Sequence, residues 1–306
     1  MPLDESRLPA SFSGMKWHLG ATILATIGMA TVAASPLRAG GALDGIAADI
    51  DDVAAKHPGI HVSIAVENLS TGEAYERDAT RVVPLVGAMR LHLLLELHRQ
   101  VAVGKIDPTR VIPSNTVAQA GGPGILRHLT HAAMSLQDYA ALMVLLNDNV
   151  ATNVLIAQLG LDGGAASAKA MGLQQTRFEA LPASEPSEGE RLRRTSSARD
   201  MLLTLKSLAR GEAVDPAATE NILKLLALPK PMLLRSHFSR EVTMAGLTFS
   251  GQMVRSECAI VSEGDERFVI CILLQRSRAG GEWDGLFGQI AAKIARRLPV
   301  GAAADR

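Results

Sequence analysis

Strand-like alternation is confined to the two ends of this chain, and helical periodicity fills the middle. Near the start, residues 61–68 alternate apolar and polar side chains, Ser70-Thr71-Gly72 turns, and 73–77 returns. Toward the other end, three more strands are expected at 242–250, 254–262 and 268–275. Between them, 91–103, 136–146, 151–159, 197–210 and 216–228 carry apolar residues at helical spacing, as do the outer segments 43–57 and 283–298. The pattern predicts an α+β fold in two lobes. One antiparallel sheet of about five strands is built from both ends of the chain and flanked by the terminal helices, and an all-helical lobe is inserted between. The sheet lobe is expected to comprise 42–85 and 203–306, and the helical lobe 86–202. A site is expected in the crevice between them.

Composition narrows the function. The 306 residues carry 31 Lys+Arg against 31 Asp+Glu, so nothing draws the chain to nucleic acid or an anionic membrane. A 47% hydrophobic fraction with 20% charged residues describes a folded chain. Aromatics at 3% argue against a stacking platform for bases or sugars.

Residues 1–39 read as a leader rather than as fold. The run from Leu19 to Ala34 is apolar and uncharged, and small residues follow through Ala39. That pattern describes a secretory signal, more ordinary if translation starts at Met15. At about 16 residues the run is shorter than a spanning helix needs, although an uncleaved anchor is the alternative. The expected location is a bacterial periplasm or exterior, with the folded domain at 40–306.

Export bears on the two cysteines, because disulfides persist in oxidising compartments. With Gly264-Asp265 as a two-residue turn, Glu263 opposes Glu266. Counting outward then sets Cys258 opposite Cys271 in a non-hydrogen-bonded pair. A cross-strand disulfide and two buried thiols both fit that register, and one extra loop residue destroys it.

The segments Gly121-Gly-Pro-Gly-Ile-Leu-Arg-His-Leu129, Ser135-Leu-Gln-Asp-Tyr-Ala-Ala-Leu-Met143 and Asn147-Asp-Asn-Val-Ala-Thr-Asn-Val-Leu-Ile156 resemble class A serine β-lactamases and related penicillin-recognising hydrolases. The resemblance extends upstream to Pro84–Leu91 and downstream to Thr195–Met201, with the blocks in the same order. It implies the two-lobed fold already read from periodicity, and a serine nucleophile that opens a helix as Ser-x-x-Lys.

Here the matching positions are Gly87 and Arg90. Glycine has nothing to acylate, and arginine cannot become the neutral base that a desolvated lysine can. No serine occurs between Ser70 and Ser114, so a shift of register does not restore the motif. The family's Ser-Asp-Asn element appears as Asn147-Asp148-Asn149: Asn149 matches the substrate-binding amide, and Asn147 replaces the relay hydroxyl. Asn and Asp also favour a plain turn between helices.

The third element is ambiguous. Residue matching favours Phe249-Ser250-Gly251, whereas spacing to the next strand favours Met244-Ala245-Gly246. We lean to the spacing, and in both the lysine is gone. Arg255, entering the following strand, is the candidate to supply positive charge for a substrate carboxylate, with a solvated strand arginine as the alternative. Arg177-Phe178-Glu179 resembles the family's deacylating Arg-x-Glu. Without an acyl-enzyme, Glu179 is more simply expected in a structural ion pair, for instance with Arg90, whose charge could instead pair with Asp148 or receive an anionic ligand.

Neither metal nor cofactor is implied. His92 and His98 point to different faces of a helix, and His128 and His131 lack a Cys or carboxylate at ligand spacing. The cluster Arg191, Arg193 and Arg194, balanced by Glu185, Glu188 and Glu190, reads as a solvated loop. The expected function is therefore that of an exported β-lactamase-like protein that has lost acyl-enzyme chemistry and acts by binding. The ligand would be a small or cell-wall-derived molecule in the cleft, or a protein partner. The alternative is a hydrolase using a Glu179-activated water or a relocated nucleophile such as Ser250.

Overall fold

The computed structural model describes residues 41–117, 121–179, 193–276 and 283–301. The leader expected at 1–39 and most of the polar loop before Thr195 lie outside these residues. The chain opens with α1 (Ile46–Ala55), which buries Ile46, Ile50, Val53 and Ala54 at helical spacing. Strands β1 (Ile60–Asn68) and β2 (Ala74–Arg77) form the first hairpin. Strands β8 (Thr243–Ser250), β9 (Val254–Glu263) and β10 (Glu266–Arg276) follow near the other end. They join in one five-stranded sheet in the order β2-β1-β10-β9-β8, and every neighbour pair is antiparallel.

Period-two alternation divides the sheet's side chains between two cores. One face carries Val62, Ile64, Val66, Phe268, Ile270, Ile272 and Val261, which pack with α1 and the last helix, α8 (Asp284–Arg297). The other face carries Ala65, Cys271, Cys258 and Leu247 in one lateral row, and Leu273, Ser256 and Phe249 in the next. Over this second face lie α6 (Ala198–Ala209), α7 (Pro216–Ala227) and part of α2 (Val86–Ala102).

The helical lobe consists of α2, α3 (Leu136–Leu146), α4 (Asn149–Leu159) and α5 (Leu161–Ala170). A capping box starts α3, in which Ser135 and Asp138 satisfy each other's backbone N–H groups. Short pairings complete it: β3 (Val83–Pro84) and β6 (Arg177–Phe178) flank β7 (Arg194–Ser196), and β4 (Val111–Pro113) pairs with β5 (Ala133–Ser135).

Helix α5 is not among the helices read from the sequence. Its Gly163 serves packing: a Cβ there would lie 2.5 Å from Cδ of Glu96 on α2. One local expectation is corrected: Arg194 is not solvated. It sits in the middle strand of the small sheet and is 2% exposed.

Candidate functional site

The site forms where the first turn of α2, the α3–α4 junction and the outer strand β8 meet. Helix α2 has no side-chain cap at Leu85. Gly87, in its first turn, is buried. The Cβ it lacks would lie 3.3 Å from Cβ of Phe249, so the strand residue against this position is an aromatic ring. Pairing of Phe249 with Ser256, and of Leu247 with Cys258, fixes Phe249 on the α2 side of the sheet.

One turn further along α2, Arg90 is 1% exposed. Its Nη1 donates to Oδ1 of Asn147 at 2.7 Å, and its Nη2 donates to the Asn147 carbonyl at 2.8 Å and to Oδ1 of Asn149 at 2.9 Å. Nε donates to the Thr152 hydroxyl at 3.4 Å. The guanidinium carbon lies 5.9 Å from the centre of the Phe249 ring. Four of the five guanidinium N–H groups are thereby used, by three residues of the α3–α4 segment. Burial pushes the Arg90 pKa down to about 10, and the Asp148 carboxylate opposes the shift. The group stays charged at neutral pH and has no lone pair to offer as a base.

The junction itself is built around these bonds. Asn147 ends α3 in the left-handed region, at φ 54°, a conformation asparagine tolerates better than most residues. Asp148 caps α4 by accepting from Ala151 N–H at 3.0 Å, and its other oxygen accepts from the N–H groups of Ile125 and Leu126 at 2.7 and 2.9 Å. Asn149 donates through Nδ2 to the Gly121 carbonyl at 2.8 Å. The loop at 121–125 therefore closes directly over the tripeptide. It comes so near that a Cβ on Gly124, at φ 117°, would lie 2.4 Å from Cγ of Asp148.

The remaining candidates lie elsewhere. Arg255 faces α8: it pairs with Glu257 at 3.3 Å and Asp284 at 2.9 Å, and stacks 5.3 Å from the Phe287 ring centre. Glu257 also accepts from the N–H groups of Leu233 and Leu234, and burial pushes its pKa up. Ser250 pairs with Arg255 and shares that face, opposite to the one carrying Phe249. Gly246 lies against β9, where a Cβ would meet the Cys258 carbonyl at 2.5 Å. Glu179 is more than half exposed and pairs with Arg177 at 4.0 Å, so the expected Arg90–Glu179 ion pair is replaced by separate partners for each.

Two contributors were not anticipated. In the sequence Thr152 lies within the matched segment 147–156 and Phe249 within 249–251, and neither pattern marks a contact with Arg90. Strand parity held the signal for Phe249, since it shares a face with Leu247 and Ala245.

Gly87, Arg90, Phe249 and the Asn147-Asp148-Asn149 tripeptide thus meet in one place. A model described as the β-lactamase enzyme family matches residues 45–298, and the chain belongs to that family. Solved structures show the same fold. A β-lactamase from Sphaerobacter thermophilus superposes with a TM-score of 0.74 at 20% identity, over 83% of this chain and 95% of that one. PBP-A, in an acyl-enzyme complex with penicillin G, superposes at 0.73 and 19% identity, over 83% and 96%. A β-lactamase from Xanthomonas campestris gives 0.73 at 18%, over 83% and 98%. No curated protein matches the chain in sequence.

Proposed function

We propose that this chain is an exported, non-acylating member of the β-lactamase family that works by binding in the cleft between its lobes. The observation that carries this reading is the state of Arg90. A serine enzyme needs a nucleophile at the start of α2 and a proton acceptor one turn on. Here the first position is glycine against Phe249, and the second is a buried cation held by Asn147, Asn149 and Thr152. A catalytic unit that loses its nucleophile loses nearly its whole rate gain, whatever else remains. The ligand class is taken from the neighbours: a β-lactam or the cell-wall peptide that such compounds resemble.

The test is labelling with fluorescent penicillin and turnover of nitrocefin by the purified chain. The expected result is no covalent adduct and no turnover above buffer, with reversible binding of penicillin G seen as a thermal shift. Turnover that disappears in Glu179→Ala, or an adduct mapped to any serine, would replace this reading with a hydrolase of altered machinery. Acquired labelling by the Gly87→Ser, Arg90→Lys double variant, with its circular dichroism unchanged, would support a cleft still formed for acylation. Amino-terminal sequencing of protein recovered from a bacterial periplasm tests export, with a start near Gly40 expected.

A further inference from the structure

The pair Cys258 and Cys271 stands apart from the site and bears on how the chain responds to its surroundings. The two residues are direct partners on β9 and β10. Counting from the Glu263–Glu266 pair at the turn, the hydrogen-bonded and non-hydrogen-bonded positions alternate, and Cys258–Cys271 falls on a non-hydrogen-bonded one. That geometry brings the two Cβ atoms closest across an antiparallel ladder. Both side chains project from the sheet face beneath α6, in a lateral row between Leu247 on β8 and Ala65 on β1. They are 2% and 0% exposed. The thiols are unbonded here and within hydrogen-bonding reach of each other, and burial beside Cys258 pushes the Cys271 thiol well up.

We propose that Cys258 and Cys271 form a redox-determined cross-strand bridge whose state is set while the chain folds and is then locked by burial. The chemistry is thiol–disulfide exchange with a low-molecular-weight disulfide such as oxidised glutathione. One cysteine thiolate attacks the glutathione disulfide, forming a mixed disulfide and releasing one glutathione thiolate. The second cysteine thiolate then attacks the protein sulfur of that mixed disulfide, closing the Cys258–Cys271 bond and releasing the second glutathione. The protein loses two electrons and two protons, and glutathione disulfide gains them. Both steps need a thiolate reachable by a bulky disulfide. The unfolded or partly folded chain offers one, but the folded chain, with both sulfurs under α6, does not. The chain therefore has two long-lived native forms rather than a reversible switch.

The experiment is to reduce and unfold the full chain, then refold it either with dithiothreitol alone or in a glutathione redox couple. Thiols are counted by alkylation under denaturing conditions and intact mass. The expected result is two alkylated cysteines from the first route and none from the second, with a mass lower by two hydrogens. The bridged form should have an unfolding equilibrium constant smaller on the order of a hundredfold, from the short loop that it closes. Native reduced protein treated with oxidised glutathione should keep both thiols until denaturant is added. Two free thiols after oxidative refolding, or only glutathione adducts, would overturn the bridge. Prompt oxidation of the native reduced form would overturn the locking. Counting thiols on chains made in the bacterial cytosol and in the periplasm reads the same difference without refolding.

Discussion

Arg90 donates to Oδ1 of Asn149 at 2.9 Å while Asn149 donates from its amide nitrogen to the Gly121 carbonyl at 2.8 Å. A charge on α2 thus polarises an amide on α4, which in turn holds the loop at 121–125. Bonds linked head to tail in a low-dielectric interior strengthen one another, so the three segments behave as one piece.

Removing that charge should be costly. Arg90→Ala leaves the Asn147 carbonyl and the side-chain oxygens of Asn147 and Asn149 without their donor, and strips Asp148 of its opposing charge. A loss of about 3–5 kcal/mol is expected from breaking such a buried charged network. Arg90→Lys should cost less, about 2 kcal/mol, because a compact ammonium cannot span acceptors that a planar fork reaches together. Urea unfolding curves of the two variants check the order.

Glycine at 124 is predicted to be irreplaceable where glycine at 72 is not. A Cβ at 124 would meet backbone and side chain of Asp148 within 2.7 Å, in a conformation that L residues rarely adopt. Gly124→Ala should cost roughly 3 kcal/mol or more. Gly72 has φ 78° but open space around it, so Gly72→Ala should cost only the left-handed conformation, about 1 kcal/mol. Equal losses in thermal unfolding would contradict the close approach seen at Asp148.

Acid should weaken the helical lobe through His92. Its imidazole is buried between Thr204, whose hydroxyl lies 3.4 Å from Nε2, and the Phe178 ring at 5.0 Å. Burial pushes its pKa from 6.5 down to about 3. The unfolded chain therefore binds a proton that the folded chain refuses. Stability from this group is complete above 6.5 and falls as the pH drops toward 3, by roughly 1.4 kcal/mol per unit. His92→Gln should flatten that slope in urea midpoints measured across the window, whatever it does to stability at neutral pH.

Two substitutions should do almost nothing. Glu179→Ala removes an exposed ion pair at 4.0 Å, and Ser250→Ala removes a hydroxyl that meets Arg255 at 3.5 Å on the far face of the sheet. Each is expected to change stability by no more than about 0.5 kcal/mol and to leave any β-lactam binding intact. A large loss of binding in either variant would place the ligand elsewhere than beside Gly87 and Asn149.

The sheet was legible because period-two runs and the Gly264 turn leave little choice of register, and the pairing of Glu263 with Glu266 is the one that counting predicts. That Gly87 stands where the resembled motif carries serine was equally plain in the sequence. The role of Arg90 was not: a charge in a matched motif suggests a pairing with another charge, such as Glu179. The structure satisfies it with carbonyl and amide oxygens that no pattern singles out. Helix α5 was hidden for a related reason, since Gly163 is disfavoured locally but needed where Glu96 crowds the helix.

Strand order has a consequence for biosynthesis. The bond from Asn68 to Glu266 spans 198 positions, and β10 is the strand that joins β1 to β9. A chain made from its amino end must therefore carry the apolar row Val62, Ile64 and Val66 on an unpaired edge while the whole helical lobe is synthesised. Such edges invite pairing with other chains, and contacts this distant in sequence form slowly. A nascent chain halted before Glu266 holds two fragments of sheet with no strand in common, each with an edge that only β10 covers.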